Sequence, residues 1–245
     1  FVAAAAAGLL LLSATPVVRA QPTQGVGKDE IVIGTIQDLS GPVSPFGKAA
    51  RNGLQLRVDE INEQGGIHGR KIRLIVEDNA YDPKRAVLAA QKLVNQDKVF
   101  LIASHIGTPM NNAAMPVMFE KGVINFFPLS AGREMYDPPN KLKFASVASY
   151  YDTMRMNVAR LYKEKGAKNA CILYQDDDYG LEVVRGAEQG LKDIGVTMGE
   201  KTTYKRGATD FSSQVARMKS SGCDFLVLGT IIRETIGSIA EARKI

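Results

Sequence analysis

The chain has 245 residues, a net charge of +5, 45% hydrophobic residues and two cysteines. That length suits one large domain or two smaller ones. The positive excess is spread along the chain with no basic block or aromatic-interleaved patch, which argues against nucleic acid as a partner.

Ala3 to Leu12 is an apolar run of signal-peptide length, followed by Pro16 and then Val18-Arg19-Ala20 before Gln21. Residues 1–20 are therefore read as an export signal cleaved after Ala20. The run is too short for a bilayer span, which needs about 20 apolar residues, although an uncleaved anchor is the competing reading. No Met or basic leader precedes Phe1, so the signal is read as truncated, and no cysteine follows to carry a lipid. The 225 residues left (245 − 20) carry a net charge of +4 once Arg19 is gone, and an exported, soluble protein is expected.

Strand and helix signals then alternate. Gln21 to Lys28 reads as a flexible leader and Ile31 to Ile36 as a strand buried on both faces. A helix from Lys48 to Glu63 puts Ala50, Leu54, Val58 and Ile61 on one face and ends at Gly65-Gly66. Lys71 to Glu77 is a second strand, and Asp82-Pro83 supplies the cap and first turn of a helix from Lys84 to Asn95. Val99 to Ala103 is a third strand and Val123 to Phe126 a fourth. Such alternation implies a parallel sheet with helices on both faces.

From Arg133 to Lys143 the pattern lapses into turn chemistry at Asp137-Pro138-Pro139-Asn140, and Phe144 to Ala148 reads as a short crossing strand. The boundary is set here, giving a first α/β lobe over residues 21–146 and a second over 147–245. The second series has a helix from Tyr150 to Glu164 stopped at Gly166, a strand from Asn169 to Tyr174, a helix from Tyr179 to Ile194 and a strand from Val196 to Tyr204. Thr209-Asp210 is expected to cap the next helix, followed by a strand from Phe225 to Leu228 and a helix from Ile232. No stop signal precedes Ile245, so both sheets are expected to be incomplete in this chain. Cys171 and Cys223 lie at or beside strands; an exported compartment permits a disulfide, but two buried thiols are expected.

Enzyme fingerprints are missing from the sequence. There is no GxGxxG after the first strand, no GxxxxGK[ST] and no GxSxG, so neither a nucleotide cofactor nor a serine nucleophile is expected. His68 falls in a turn and reads as solvated, and two separated histidines do not make a triad or zinc site. Asp176-Asp177-Asp178 could hold a metal, but directly before a helix these carboxylates are better read as caps.

The stretch that draws attention is Ser104-His105-Ile106-Gly107-Thr108-Pro109, between the third strand and its helix. Thr108 is read as the N-cap with Pro109 in the first turn. A helix N-terminus with free N–H groups, a hydroxyl and a glycine beside it can seat a carboxylate. Open α/β sheets bind ligands outside the carboxyl ends of their strands, which directs attention to the loops after the first, third and fourth strands and to Tyr179 in the second series. A base paired with a nucleophile is lacking there, which favours binding over catalysis.

Several motifs, IVIGTIQDLSGPVSPFG, VDEINEQGGIHGRKIRLIVEDNAYDPKRAV, FFPLSA, YQDDDYG and GATDFSSQVARMKSSGCDFLVLG, follow one another from Glu30 to Ile245. In that order they resemble the periplasmic substrate-binding proteins of leucine/isoleucine/valine-type ABC transporters. The resemblance implies two doubly wound α/β domains joined by hinge strands, the type I periplasmic-binding-protein fold, closing on a ligand destined for a membrane permease. It also implies no catalytic residue, cofactor or metal. On it, Thr108 matches the hydroxyl that holds the ligand carboxylate, with Gly107 and His105 beside it, and Phe46 matches an aromatic covering the ligand. Leu129, Ser130 and Ala131 match the loop that meets the ammonium, Tyr179 matches the aromatic of the second domain, Tyr150 starts that domain's first helix, and Ile231 stands where a side-chain-reading aromatic is expected. Three departures weaken the amino-acid assignment: the loop hydroxyl sits at Ser130 rather than Ala131, Ile231 replaces the aromatic, and the family's ammonium-binding acid lies past Ile245. Ala80 and Gly107 stand where some members place a disulfide. A branched-chain amino acid, an amide or an aromatic carboxylate is therefore the expected ligand. The rival role is a sensory domain of the same fold.

Overall fold

A computed structural model describes residues 23–245; the export-signal reading of residues 1–20 falls outside them. The chain runs β1 (Glu30–Gln37), α1 (Ser44–Glu63), β2 (Lys71–Asp78), α2 (Pro83–Gln91), β3 (Leu101–Ala103), α3 (Thr108–Glu120), β4 (Ile124–Phe126) and β5 (Lys143–Phe144). Then follow α4 (Tyr150–Lys165), β6 (Ala170–Gln175), α5 (Asp178–Lys192), β7 (Lys201–Tyr204), α6 (Ser212–Ser220), β8 (Phe225–Gly229) and α7 (Ile232–Ala242). Every strand pairing within the two sheets is parallel.

The first sheet has the order β2-β1-β3-β4-β5 and the second β7-β6-β8. In the first, the chain leaves β1 towards β2 on one side and then returns to β3 on the other. Right-handed crossovers put α1 on one face and α2 and α3 on the opposite one, and α2 does pack against α3. Central β1 is buried almost without a break from Val32 to Gln37, as a strand covered on both faces must be. Around it Ile36, Leu93, Val94, Ile102, Ala114 and Met118 form the first core. In the second unit α4 and α5 close over β6 through Val158, Ile172, Val184 and Leu191.

Local chemistry sets several boundaries. Asp82 caps α2 by accepting from Arg85 N at 2.9 Å, and α4 ends at Gly166 with φ +63°. After Gln91 the helix widens into a π turn, Lys92–Gln96. The expected leader is tied down from residue 23 onward: Gln24 Nε2 donates to the carbonyls of Val94 and Val99, and Val32 N donates to Gly25 O.

Four expectations need correction. The stretch Phe144 to Ala148 is not a crossing strand; Lys143 and Phe144 pair with Asn125 and Phe126 as the edge of the first sheet, and 145–149 link the sheets without strand structure. The strand expected from Val196 is paired only over Lys201–Tyr204, where alternating burial of Thr202 and Tyr204 begins. Helix α6 starts at Ser212, with Asp210 accepting its N–H at 2.9 Å, rather than at Thr209. Cys171 and Cys223 are joined in a disulfide rather than held as thiols, because pairing of β6 with β8 brings their Cα atoms to 5.8 Å. The chain-entropy model gives about 4 kcal/mol for closing a loop of that 52-residue separation.

Candidate ligand-binding cleft

Both sheets reverse direction beside their central strand, β1/β3 in one and β6/β8 in the other, and such switch points leave a crevice at the carboxyl ends of the strands. The two crevices face each other across one cavity of about 770 Å³. The first lobe contributes Val43 and Phe46 after β1, Ser104 to Thr108 without His105 after β3, and Phe127 to Ala131 after β4. The second contributes Tyr150, Tyr179 and Thr230 to Ile232, with Ser146 and Val147 between the lobes.

The two lobes use one device to present an aromatic ring. Asp38 follows β1 and accepts from the N–H groups of Gly41 and Val43; Asp177 follows β6 and accepts from those of Tyr179 and Gly180. Each carboxylate anchors the incoming turn of α1 or α5 against the end of its own strand. The approach is so close that a side chain at Gly47 would run into the Asp38 carbonyl, and one at Gly180 into that of Gln175. Phe46 and Tyr179 directly precede these glycines, and both line the cavity, one from each lobe. Burial pushes the Asp177 carboxyl above its usual range. Tyr179 donates to Thr230 O at 3.2 Å and meets Tyr150 edge-on, ring centroids 5.1 Å apart. Burial also raises the Tyr150 and Tyr179 hydroxyls above ordinary phenols, so both stay neutral.

At the start of α3 the geometry differs from the sequence reading. Gly107, not Thr108, is the N-cap, with φ +92° and ψ 135°, and no side chain caps the helix. Thr108 is already helical, and its hydroxyl lies 2.8 Å from that of Ser130 in a buried pair. Gly132 N donates to Ser130 Oγ at 3.3 Å. The loops are stitched by backbone bonds: Gly107 N to Leu129 O at 3.2 Å, Leu129 N to His105 O at 2.9 Å, and Tyr150 N to Ala131 O at 2.8 Å. A hydroxyl pair at a helix N-terminus, where α3 carries about half a positive charge, favours an anion.

All the sequence candidates line the cavity except His105. Ser104 takes φ +57°, with its carbonyl held by Gln37 Nε2 at 2.7 Å; the main chain turns there, Ser104 meets the cavity, and the His105 ring goes under the loop. That ring is fully buried, neither nitrogen has a partner, and burial pushes its pKa down to about 3. It is a neutral floor residue, not a ligand contact. The aspartates of 176–178 bind no common point: Asp176 pairs with Lys205, Asp177 caps α5 and Asp178 accepts from Asn112 at 2.9 Å. No cluster of three metal-ligating side chains occurs among the described residues. Tyr81, from the loop after β2, also lines the cavity, with Thr230 after β8 and Thr235 in the first turn of α7. Sequence reasoning passed over all three; the position of Tyr81 at a strand's carboxyl end was the available signal.

A family model described as "Periplasmic binding protein" matches residues 30–245. A leucine-, isoleucine-, valine-, threonine- and alanine-binding protein of Pseudomonas aeruginosa is 27% identical over 206 residues, covering 82% of this chain and 54% of the relative. The chain thus spans a little over half the length of the curated relatives it matches. Among solved structures, a fatty acid ABC transporter substrate-binding protein from Thermomonospora curvata superposes with a TM-score of 0.84 at 26% identity, covering 91% of this chain and 57% of that one. A solute-binding protein of an R. palustris ABC transporter, in complex with 4-hydroxybenzoate, gives a TM-score of 0.77 at 22% identity, covering 88% of this chain and 58% of that one. Paired parallel sheets with their switch points facing one cleft agree with a match that runs from β1 to the last residue, and the chain belongs to the periplasmic binding protein family, with its type I fold.

Proposed function

We propose that this chain forms the ligand-gripping part of an exported solute receptor that takes a small carboxylate-bearing molecule into the inter-lobe cleft and delivers it to an ABC-type membrane permease. The observation that carries this is the convergence of the Thr108–Ser130 hydroxyl pair, at the N-terminus of α3, with Tyr150 and Tyr179 of the other lobe on a single cavity. The carboxylate sits against Thr108, and the lobes close so that Phe46 and Tyr179 cover the ligand from both sides. A ligand touching both lobes stabilises the closed state by its differential affinity. The Cys171–Cys223 disulfide fits an oxidising, periplasmic location. Branched-chain amino acids are the first ligand class, in keeping with the P. aeruginosa relative.

A second ligand class has its own support. The cavity wall is mostly apolar and aromatic, with Val43, Phe46, Ile106, Phe127, Leu129 and Ile231 among its residues. Apolar or aromatic acids lacking an ammonium fit that wall, and the R. palustris protein is in complex with 4-hydroxybenzoate. A thermal-shift screen of the full-length mature protein against amino acids, amides and aromatic acids decides between them. A ligand at about 100 times its Kd adds about 2.7 kcal/mol to stability. Stabilisation by aromatic acids alone rejects the amino-acid class, and stabilisation by no acid at all rejects the receptor.

A further inference from the structure

The cleft is not the only place where the lobes meet. Arg133 follows β4 in a short turn, Arg133–Met135, seated on the first sheet by buried Met135 against Asn125. Its side chain crosses to the second lobe. There Nε donates to Glu182 on α5 at 2.8 Å, Nη2 reaches the other carboxylate oxygen at 3.4 Å, and the guanidinium stacks over the Tyr151 ring of α4 at 4.0 Å.

Glu182 is the unusual partner. Its side chain is 1% exposed, whereas that of Arg133 is 35% exposed. The other cation within reach, Arg185, lies on the same helix at 3.9 Å and is 55% exposed. A buried carboxylate is tolerated only when paired and hydrogen-bonded. Within this fold the close pairing comes from across the lobe boundary, so separating the lobes removes it. Asn112 to Asp178 at 2.9 Å is a second polar contact of the same kind, also on α5. Ile231 packs into the first-lobe cluster of Val43, Tyr81, Ala86, Ile106 and Met110. None of Arg133, Tyr151 and Glu182 lines the cleft.

We propose that Arg133 and Glu182 form a latch between the lobes: positioning residues that set ligand affinity by holding the closed state, which the ligand-free protein also samples. The latch rests on the receptor reading only in its link to affinity. Removing the Arg133 side chain leaves the buried Glu182 with only the exposed Arg185 at 3.9 Å and the residue-133 N–H at 3.4 Å when the lobes close, so closure becomes unfavourable. Removing both groups together leaves no orphaned charge and returns closure towards its starting level.

The test uses the full-length mature protein with dyes at Leu56→Cys on α1 and Ala216→Cys on α6, both exposed positions. Cys171 and Cys223 are bonded to each other and do not compete for the dyes. Single-molecule energy transfer without ligand then reads the ratio of closed to open molecules. Arg133→Met is expected to lower that ratio by about tenfold or more, and Arg133→Met/Glu182→Leu to restore it to within about threefold of the wild type. Arg133→Lys keeps the charge but loses the fork and falls between them, which also covers poor folding of the Met variant. L-Isoleucine and 4-hydroxybenzoate are titrated alongside, and the Kd of whichever binds rises by the factor by which the closed fraction falls. An unchanged ratio in Arg133→Met, an equal shift in single and double variants, or a wild type found only open overturns the latch. If neither probe binds while the ratios shift as expected, the latch stands and the ligand assignment is what fails.

Discussion

Gly107 joins the backbone of the cleft to its packing, and Gly107→Ala tests that junction. The residue sits at φ +92° and ψ 135°, where an L side chain is strained by about 1–3 kcal/mol. A methyl there would also run into Met110 Cε and lie 3.0 Å from Tyr81 Cε2. Met110 is fully buried, so it has little room to move, and overpacking of this kind adds about 1–3 kcal/mol. The total expected loss is about 2–6 kcal/mol, a large share of the 5–15 kcal/mol that holds an ordinary domain together. Binding should weaken as well, because Gly107 N anchors Leu129 and the Gly107 carbonyl accepts from both Asn111 N and Asn111 Nδ2. The assay is urea unfolding of the full-length mature protein followed by circular dichroism. Met110→Ala and the double variant complete a cycle, in which the clash component appears as about 1–3 kcal/mol of favourable coupling. A Gly107→Ala protein within about 0.5 kcal/mol of wild type would refute the reasoning about both strain and contact.

Three further outcomes follow from the same structure. Thr108→Val keeps the shape and removes the hydroxyl, so carboxylate affinity should fall by about 1–3 kcal/mol in calorimetric titration, with unchanged affinity removing Thr108 from the site. Cys171→Ala/Cys223→Ala should lower unfolding stability by about 4 kcal/mol on the chain-entropy model, and a loss under about 1 kcal/mol would show that β6 and β8 hold their register unaided. His105, with its pKa held down to about 3 by burial, binds fewer protons folded than unfolded. Its contribution is therefore intact above the unfolded value of about 6.5 and is lost as pH falls towards 3, at up to roughly 1.4 kcal/mol per pH unit. His105→Leu should flatten the stability profile between pH 6 and 4; an unaltered slope would mean that the ring is not buried neutral.

Much of the fold was legible because both units follow simple periodicities. Unbroken apolar runs gave β1 and β6, and Asp82-Pro83 and Gly166 marked the helix ends at which the structure has them. The cleft loops followed from the rule that ligands gather at the carboxyl ends of strands. What escaped was set by long-range geometry. Two residues, Lys143 and Phe144, make an edge strand too short to show a pattern, and only their pairing with β4 defines it. The disulfide depends on β6 and β8 lying side by side over a 52-residue separation. His105 turned inward because Ser104 adopts a left-handed conformation that its residue type does not announce. Glu182 stands between Leu181 and Val183 on α5, and no local pattern marks it as the partner of Arg133, which arrives from the other lobe.

The claim that everything else depends on is that the hydroxyl pair at the start of α3 seats a carboxylate. Calorimetric titration of the full-length mature protein with two acid–amide pairs, L-isoleucine against L-isoleucinamide and 4-hydroxybenzoate against 4-hydroxybenzamide, isolates that group while leaving the side chain unchanged. At least one acid should bind, with its amide weaker by about tenfold or more, as loss of a charge-assisted hydrogen bond requires. An amide that binds as tightly as its acid, or the failure of both acids to bind, would contradict it.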